Sequence, residues 1–235
     1  MQIGSQEWSD LIIEGAAALG IDLHPDQTRQ FAVHAVELVR WNQKINLTAI
    51  TDPFEIAVKH FLDSLPAARR IPEDATLLDL GSGGGFPGLP LKVLRPSLSV
   101  TLIDASRKKV SFLKHVIRTL QLDKIEALHI RAEDLADDPL YRHRFQVIIS
   151  RALSSLDLFY GLAWPLLSEA GVMLALKGDI AGDELNELKG RGFGDGGPGA
   201  AINRQFSVSV EKFRLPFLNS HRSIGIIRQE KIRNK

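Results

Sequence analysis

Thr76-Leu77-Leu78-Asp79-Leu80-Gly81-Ser82-Gly83-Gly84-Gly85-Phe86-Pro87-Gly88-Leu89-Pro90 is the stretch around which this chain is built. It opens with a short apolar run, Thr76 to Leu80, with an acid, Asp79, inside it. Gly81, Gly83, Gly84 and Gly85 follow, then Phe86, Pro87 and Gly88, and a helical pattern begins around Leu89. A buried strand that feeds a glycine-rich turn and then a helix sets backbone N–H groups at the carboxyl edge of a sheet. Glycine suits that turn because the backbone must take positive φ and let a ligand come close.

The loop fits two patterns. Gly83 to Gly88 matches G-x-G-x-x-G, a dinucleotide fingerprint. Asp79 to Gly85 matches D-x-G-x-G-x-G, a loop associated with S-adenosylmethionine enzymes. A pyrophosphate wants N–H donors and no nearby acid, whereas the methionine end of S-adenosylmethionine carries an ammonium and a sulfonium. Asp79, two residues before the first glycine, favours the cationic ligand.

Downstream, apolar strands alternate with helical patterns: Leu77 to Leu80, Val100 to Ile103, Ile125 to Ile130, Phe145 to Ile149, and Gly171 to Leu176. This alternation predicts a parallel sheet covered on both faces. Two later strands, Phe206 to Phe213 and Ser223 to Ile227, are joined by a turn around Pro216 to His221, too short for a crossover helix, so they pair antiparallel. The expected fold is α/β: a Rossmann-like, seven-stranded methyltransferase sheet, mostly parallel with an antiparallel C-terminal hairpin. Between the last parallel strand and the hairpin, Gly190 to Gly199 reads as a glycine-rich surface loop.

Upstream, the period is helical. Ser5 to Leu19 carries Trp8, Leu11, Ile12 and Leu19 on one face and stops at Gly20. A second helix starts near Pro25, with Phe31, Ala35, Leu38 and Val39 at helical spacing. A third starts at Asp52-Pro53-Phe54-Glu55, with Asp52 as its cap, and carries Phe54, Val58, Phe61, Leu62 and Leu65. Residues 1–70 therefore form an N-terminal helical extension and 71–235 the sheet domain, together one compact unit. The composition, 44% hydrophobic and 24% charged in 235 residues, is that of an ordinary globular protein. There is no cysteine, so disulfides, thiolate metal sites and a cysteine nucleophile are excluded, and no metal site is expected. With neither an apolar run of membrane length nor a signal sequence, the expected setting is the cytoplasm, away from membranes. A formal net charge of +1 does not announce a nucleic-acid binder, so any such role must rest on local patches.

In an open α/β sheet the ligand lies outside the carboxyl ends of the strands. Those ends give Asp79 and the loop glycines Gly81 and Gly83. Asp104, about 20 residues on, is placed to accept from ribose hydroxyls, with capping of the next helix as its structural alternative. The third strand gives Ala132 and Glu133 beside an adenine, with helix capping as their structural alternative. The fourth gives Arg151, where the reacting methyl group would lie, with a structural ion pair as the alternative. The fourth strand lacks the Asn/Asp-Pro-Pro-aromatic run used on exocyclic amino groups. An acceptor with a free lone pair, such as guanine N7, fits a chain of this kind and needs no general base. Arg107 and Lys108, with Lys109, Lys114 and Arg118 on the same helix, could meet phosphates, as could Arg142 with Arg144 and the C-terminal Arg228, Lys231, Arg233 and Lys235. Lys177 and Arg222 are further candidates, with surface solvation or a carboxylate partner as their alternatives.

Several runs resemble the bacterial RsmG methyltransferases, also called glucose-inhibited division protein B: Trp41-Asn42-Gln43-Lys44-Ile45-Asn46-Leu47-Thr48, His60-Phe61-Leu62-Asp63-Ser64-Leu65, Leu78 to Gly88, Ile149-Ser150-Arg151-Ala152 and Leu176-Lys177-Gly178. The resemblance implies methyl transfer from S-adenosylmethionine to N7 of a guanine in 16S ribosomal RNA, in a loop near the decoding site. It implies cofactor contacts at Gly81, Phe86, Ala132, Glu133 and Arg151. Lys44 and Asn46, and His60 with Asp63, fall in its motifs and would lie near the RNA or the mouth of the site. The expected partner is 16S ribosomal RNA or the small ribosomal subunit, met by a monomer. Three other readings stand beside it: a small-molecule or protein methyltransferase on the same fold, a nicotinamide dehydrogenase, and a non-enzymatic RNA-binding assembly factor.

Overall fold

The computed structural model describes residues 1–151, 153–180, 182, 184, 186, 188 and 206–229. Ala152, the Gly190 to Gly199 run and the tail residues Lys231, Arg233 and Lys235 lie outside them. Helix α1 (Gln6–Ala18) starts where the Ser5 hydroxyl accepts from the Trp8 N–H at 3.2 Å. It stops at Gly20, whose φ of 67° lets the Gly20 and Ile21 N–H groups reach back to the Ala17 and Ala16 carbonyls. Helix α2 (Pro25–Asn42) opens on its proline. Helix α3 (Pro53–Ile56) begins with Asp52 accepting from the Glu55 N–H at 2.9 Å.

There the helical pattern departs from expectation. Ala57–Leu62 wind as a π-helix and Leu65–Arg70 as a 3-10 helix. The wider turn brings Ala57, Val58, His60, Phe61 and Leu62 all inside, more than one α-helical stripe would bury.

The sheet comprises β1 (Thr76–Leu80), β2 (Ser99–Asp104), β3 (Ile125–His129), β4 (Phe145–Ser150), β5 (Leu167–Lys177), β6 (Phe206–Leu215) and β7 (Ser220–Gln229). Its order is β3-β2-β1-β4-β5-β7-β6, with β1 to β5 parallel and β7 antiparallel to both its neighbours. Helices α4 (Gly88–Leu94), α5 (Arg107–Thr119), α6 (Ala132–Asp137) and α7 (Leu156–Ala163) connect the strands. The order reverses between β1 and β4, so their carboxyl ends open a crevice there.

Alternation along the strands divides the core in two. Leu77, Leu102 and Ile149 join a cluster with Trp8, Phe31, Leu38, Phe61, Leu89 and Phe112, which puts α1, α2 and the π-helical segment on the same face as α4 and α5. Leu78, Leu80, Ile103 and Ile148 pack on the other face with Leu135, Phe159 and Leu166. Asp79 therefore points toward the N-terminal helices, and so does Arg151, two residues past Ile149.

Candidate active site

The glycine loop closes on itself. Gly81, Gly83 and Gly85 all have positive φ. The Gly81 and Ser82 N–H groups donate to the Ile103 carbonyl, those of Gly85 and Phe86 to the Ser82 carbonyl, and that of Gly83 to Asp104 Oδ2 at 3.0 Å. The sequence pattern led us to expect these donors to face a ligand. Instead they are used within the protein, and the glycines serve the shape of the turn. A pyrophosphate would find few donors here, which removes the support for the dinucleotide pattern.

Asp79 lies beneath the loop, fully buried. Its Oδ2 accepts from the Gly88 N–H at 2.9 Å, while Oδ1 is buried without a hydrogen-bond partner. Burial pushes its pKa up to about 7, against the opposing pull of the Gly88 N–H and Arg151. A Cβ on Gly88 would stand 2.7 Å from that Oδ2, so only glycine lets α4 start this close to β1.

On the α6–α7 side of the loop is a cleft of about 290 Å³ lined by Leu80, Gly81, Ile103, Asp104, Ala105, Ile130, Arg131, Ala132, Glu133, Leu153, Leu158 and Leu162. Asp104 accepts from Gly83 through Oδ2 and from the Ser106 N–H through Oδ1 at 2.8 Å. It thus does the local capping of its structural alternative and keeps a second lone pair on each oxygen. Apart from Asp104, Glu133 and Arg131 the walls are apolar or backbone, which suits a nucleoside: Asp104 for a ribose diol, the apolar side chains for a base.

On the opposite side Arg151 is held by four groups. Its Nη1 donates to the Lys59 carbonyl at 3.0 Å and lies 3.7 Å from Asp63 Oδ2. Its Nη2 donates to His60 Nδ1 at 3.2 Å, and its guanidinium lies 5.1 Å from the centre of the Phe86 ring. Phe86 itself is buried and stacks nearly parallel to both His34 and His60, at 4.7 and 4.5 Å. Its ring therefore supports Arg151 rather than lining the cleft. Asp63 Oδ1 accepts from Arg222 Nε at 3.1 Å, and burial raises the Asp63 pKa against the pull of both arginines. The Ser150 hydroxyl donates to the Leu80 carbonyl at 2.8 Å, which ties the ends of β4 and β1 together.

A family model described as rRNA small subunit methyltransferase G matches residues 27–199. The chain is 41% identical over 222 residues to the Ribosomal RNA small subunit methyltransferase G of Geobacter metallireducens, an alignment that covers 94% of this chain and 96% of the relative. This chain belongs to the rRNA small subunit methyltransferase G family. The like-named protein of Desulfitobacterium hafniense is 46% identical over 171 residues, 73% of this chain and 71% of its own. At low identity the fold alone is shared. A SAM dependent methyltransferase from Aquifex aeolicus aligns with a TM-score of 0.52 at 15% identity, over 75% of this chain and 94% of its own. Pyrococcus horikoshii TYW2 in complex with MeSAdo aligns at 0.53 and 12%, over 71% and 61%. The chain is an enzyme, a methyltransferase.

The motifs shared with the small subunit methyltransferase G family divide into buried and exposed members. Lys44 and Asn46 are exposed on the loop after α2. That loop is held by a residue the sequence reading did not single out. Asn42 Oδ1 accepts from the Leu47 and Thr48 N–H groups, and Asn42 Nδ2 donates to the Thr48 carbonyl at 2.9 Å. The Thr48 hydroxyl in turn contacts His60 Nε2 at 2.9 Å. Both residues lay in the quoted Trp41 to Thr48 run, so the signal was present. His34 was missed as well, although it sits three residues past Phe31 on the buried face of α2, where a polar side chain calls for a partner. It has one in the Gly84 carbonyl at 2.8 Å. Arg107 and Lys108 stand exposed in the first turn of α5. Lys177 donates to the Ser154 carbonyl at 2.9 Å and pairs with Glu184, and Arg222 is paired with Asp63, so each has the carboxylate partner of its alternative.

Proposed function

We propose that this methyltransferase moves the methyl group of S-adenosylmethionine to N7 of a guanine in 16S ribosomal RNA, in a loop near the decoding site. The observation that carries the reading is one of placement. A nucleoside-sized cleft and a fixed guanidinium flank a single glycine loop at the switch point of the sheet, in a chain whose relatives are named for methylation of small-subunit ribosomal RNA. Bound S-adenosylmethionine supplies a methyl group on a positively charged sulfur. Gly81, Ala132 and Glu133 would hold its nucleoside with Asp104, Gly83 would keep Asp104 and the turn in place beside it, and Asp79 would face the cationic methionine end from below.

Guanine N7 has a free lone pair and loses no proton on methylation, so the protein's task is to align it. The groups beside Arg151 fit that task. Each is engaged in holding another: His60 on Arg151 and Thr48, Asp63 on two arginines. Arg151 supplies a fixed positive charge able to steer an electron-rich base edge or a phosphate. Lys44, Asn46, Arg107 and Lys108, all exposed, would meet the RNA backbone. The protein would act in the cytoplasm as a monomer on ribosomal RNA or the small subunit. Among the described residues no helix is long and apolar enough to cross a membrane.

Incubation with labelled S-adenosylmethionine and small-subunit particles from cells lacking the gene tests the reading. Label on one guanine, with chain cleavage at that base after reduction and aniline, is the expected result. RNA left unlabelled while the protein still binds the donor would move the acceptor to a small molecule or a protein.

A further inference from the structure

Three of the four groups that hold Arg151 come from one short segment, the Lys59 carbonyl, the His60 ring and the Asp63 carboxylate. The first two belong to the π-helical turn Ala57–Leu62, a rare winding that is frequent at functional sites. The partners of His60 point to one tautomer. Arginine has donors only, so Nδ1 of His60 must accept from it, and the proton of a neutral ring sits on Nε2. That N–H points at the Thr48 hydroxyl, which also accepts from the Ile50 N–H at 3.0 Å. Burial, followed by the charge of Arg151, lowers the His60 pKa to about 3, in keeping with a neutral ring. A chain of hydrogen bonds thus runs from the Asn42–Thr48 loop through Thr48 and His60 to the guanidinium of Arg151.

We propose that His60 is a positioning residue, whose acceptor nitrogen, set in one tautomer by Thr48, aims Arg151 at the acceptor base. Two other roles fit less well. A general base needs a free lone pair, and the one on Nδ1 is already used by Arg151. A core filler needs no acceptor, and the packing of the ring against Phe86 would be met equally by phenylalanine. The inference rests on the methyl-transfer reading above and deepens it.

The test compares His60→Phe, which keeps the ring stack without an acceptor, with His60→Asn, whose amide oxygen can replace Nδ1. Both are assayed for kcat and KM on small-subunit RNA alongside thermal unfolding. His60→Phe is expected to lower kcat by about tenfold or more, the size of one lost bond to a charged group. KM should change little, and His60→Asn should recover most of the loss. Combining His60→Phe with Arg151→Lys should add almost nothing to Arg151→Lys alone, because residues that act as a unit are not additive. Thr48→Val, at the far end of the chain, should lower kcat by a few-fold and serves as the probe if His60→Phe does not fold. Wild-type kcat in His60→Phe, equal losses in Phe and Asn, or full additivity with Arg151→Lys would overturn the proposal. A wild-type protein that labels no RNA would instead overturn the methyl-transfer reading itself.

Discussion

Asp79 carries a consequence that pH exposes. Its folded pKa, about 7, lies above the ordinary 3.8, so in the free protein it binds a proton that the unfolded chain releases. Its contribution to stability is therefore fully present below about pH 4 and is lost as pH rises through 7. A cationic ligand favours the carboxylate. Binding of S-adenosylmethionine should accordingly tighten between pH 6 and 8, by at most about tenfold per pH unit, with release of a proton. Asp79→Asn should abolish that dependence and weaken binding, yet unfold at the same or a higher temperature than wild type at pH 8, with the gap closing at pH 5. Calorimetric titration at three pH values, paired with thermal melts, checks both halves. A wild-type affinity independent of pH would mean that the carboxylate is ionised before the ligand arrives. The placement of such residues was legible in the sequence where it is local to a strand end, as at Asp79, Gly81, Asp104, Ala132 and Glu133. Asp63 and Arg222, 159 positions apart, meet only in the fold, and nothing in either neighbourhood names the other.

The contact of α4 with β1 depends on Gly88. Its missing side chain would place a Cβ 2.4 Å from Leu102 Cδ2 and 2.7 Å from Asp79 Oδ2, and neither the strand nor the buried acid has room to move. Gly88→Ala should cost about 1–3 kcal/mol, the usual range for overpacking. Gly83 is the contrast. An added Cβ there would meet nothing nearer than the Gly81 carbonyl at 3.8 Å, and its φ of 55° is the main obstacle. Gly83→Ala should therefore cost about 1–2 kcal/mol, from backbone strain. Urea denaturation gives both, and a larger loss at Gly83 than at Gly88 would show that the loop, not the helix–strand approach, limits this junction. Elements were legible where hydrophobic period and end signals agreed. Asp52, Pro25 and Gly20 stand at the helix ends read from them, and the strands begin where the period changes. The π-helical turn was not legible, because its widening follows from what packs on it. β5 begins at Leu167 rather than Gly171, since Ser168 and Glu169 break the apolar pattern that an irregular pairing with β4 tolerates.

The N-terminal helices share one core with the sheet, through Phe31, Leu38 and Phe61 on one side and Leu77 and Leu102 on the other. We propose on that ground that residues 1–70 and 71–235 fold together, so the groups that hold Arg151 are set by the whole chain. The same arrangement bears on how RNA would be gripped. A net charge of +1 gives no long-range field, so attraction must come from where the cations stand. Arg107 and Lys108 occupy the first turn of α5, the end at which the helix dipole disfavours positive charge, and no acid accompanies them there. Their position beside Asp104, at the carboxyl edge, is the one from which phosphates at the cleft could be reached. Lys114 and Arg118 lie further along α5, away from that edge. Replacing Arg107 and Lys108 together by alanine should raise KM for RNA by about tenfold and lower the salt slope of binding by about one per lost phosphate contact. Donor affinity should be unchanged, and α5 should gain a few tenths of a kcal/mol from relief at its N-terminus. The same pair of substitutions at Lys114 and Arg118 is the control. An equal loss there, with an equal fall in slope, would place the RNA along the full length of α5 instead of over the switch point, and would move the mouth of the site toward β3.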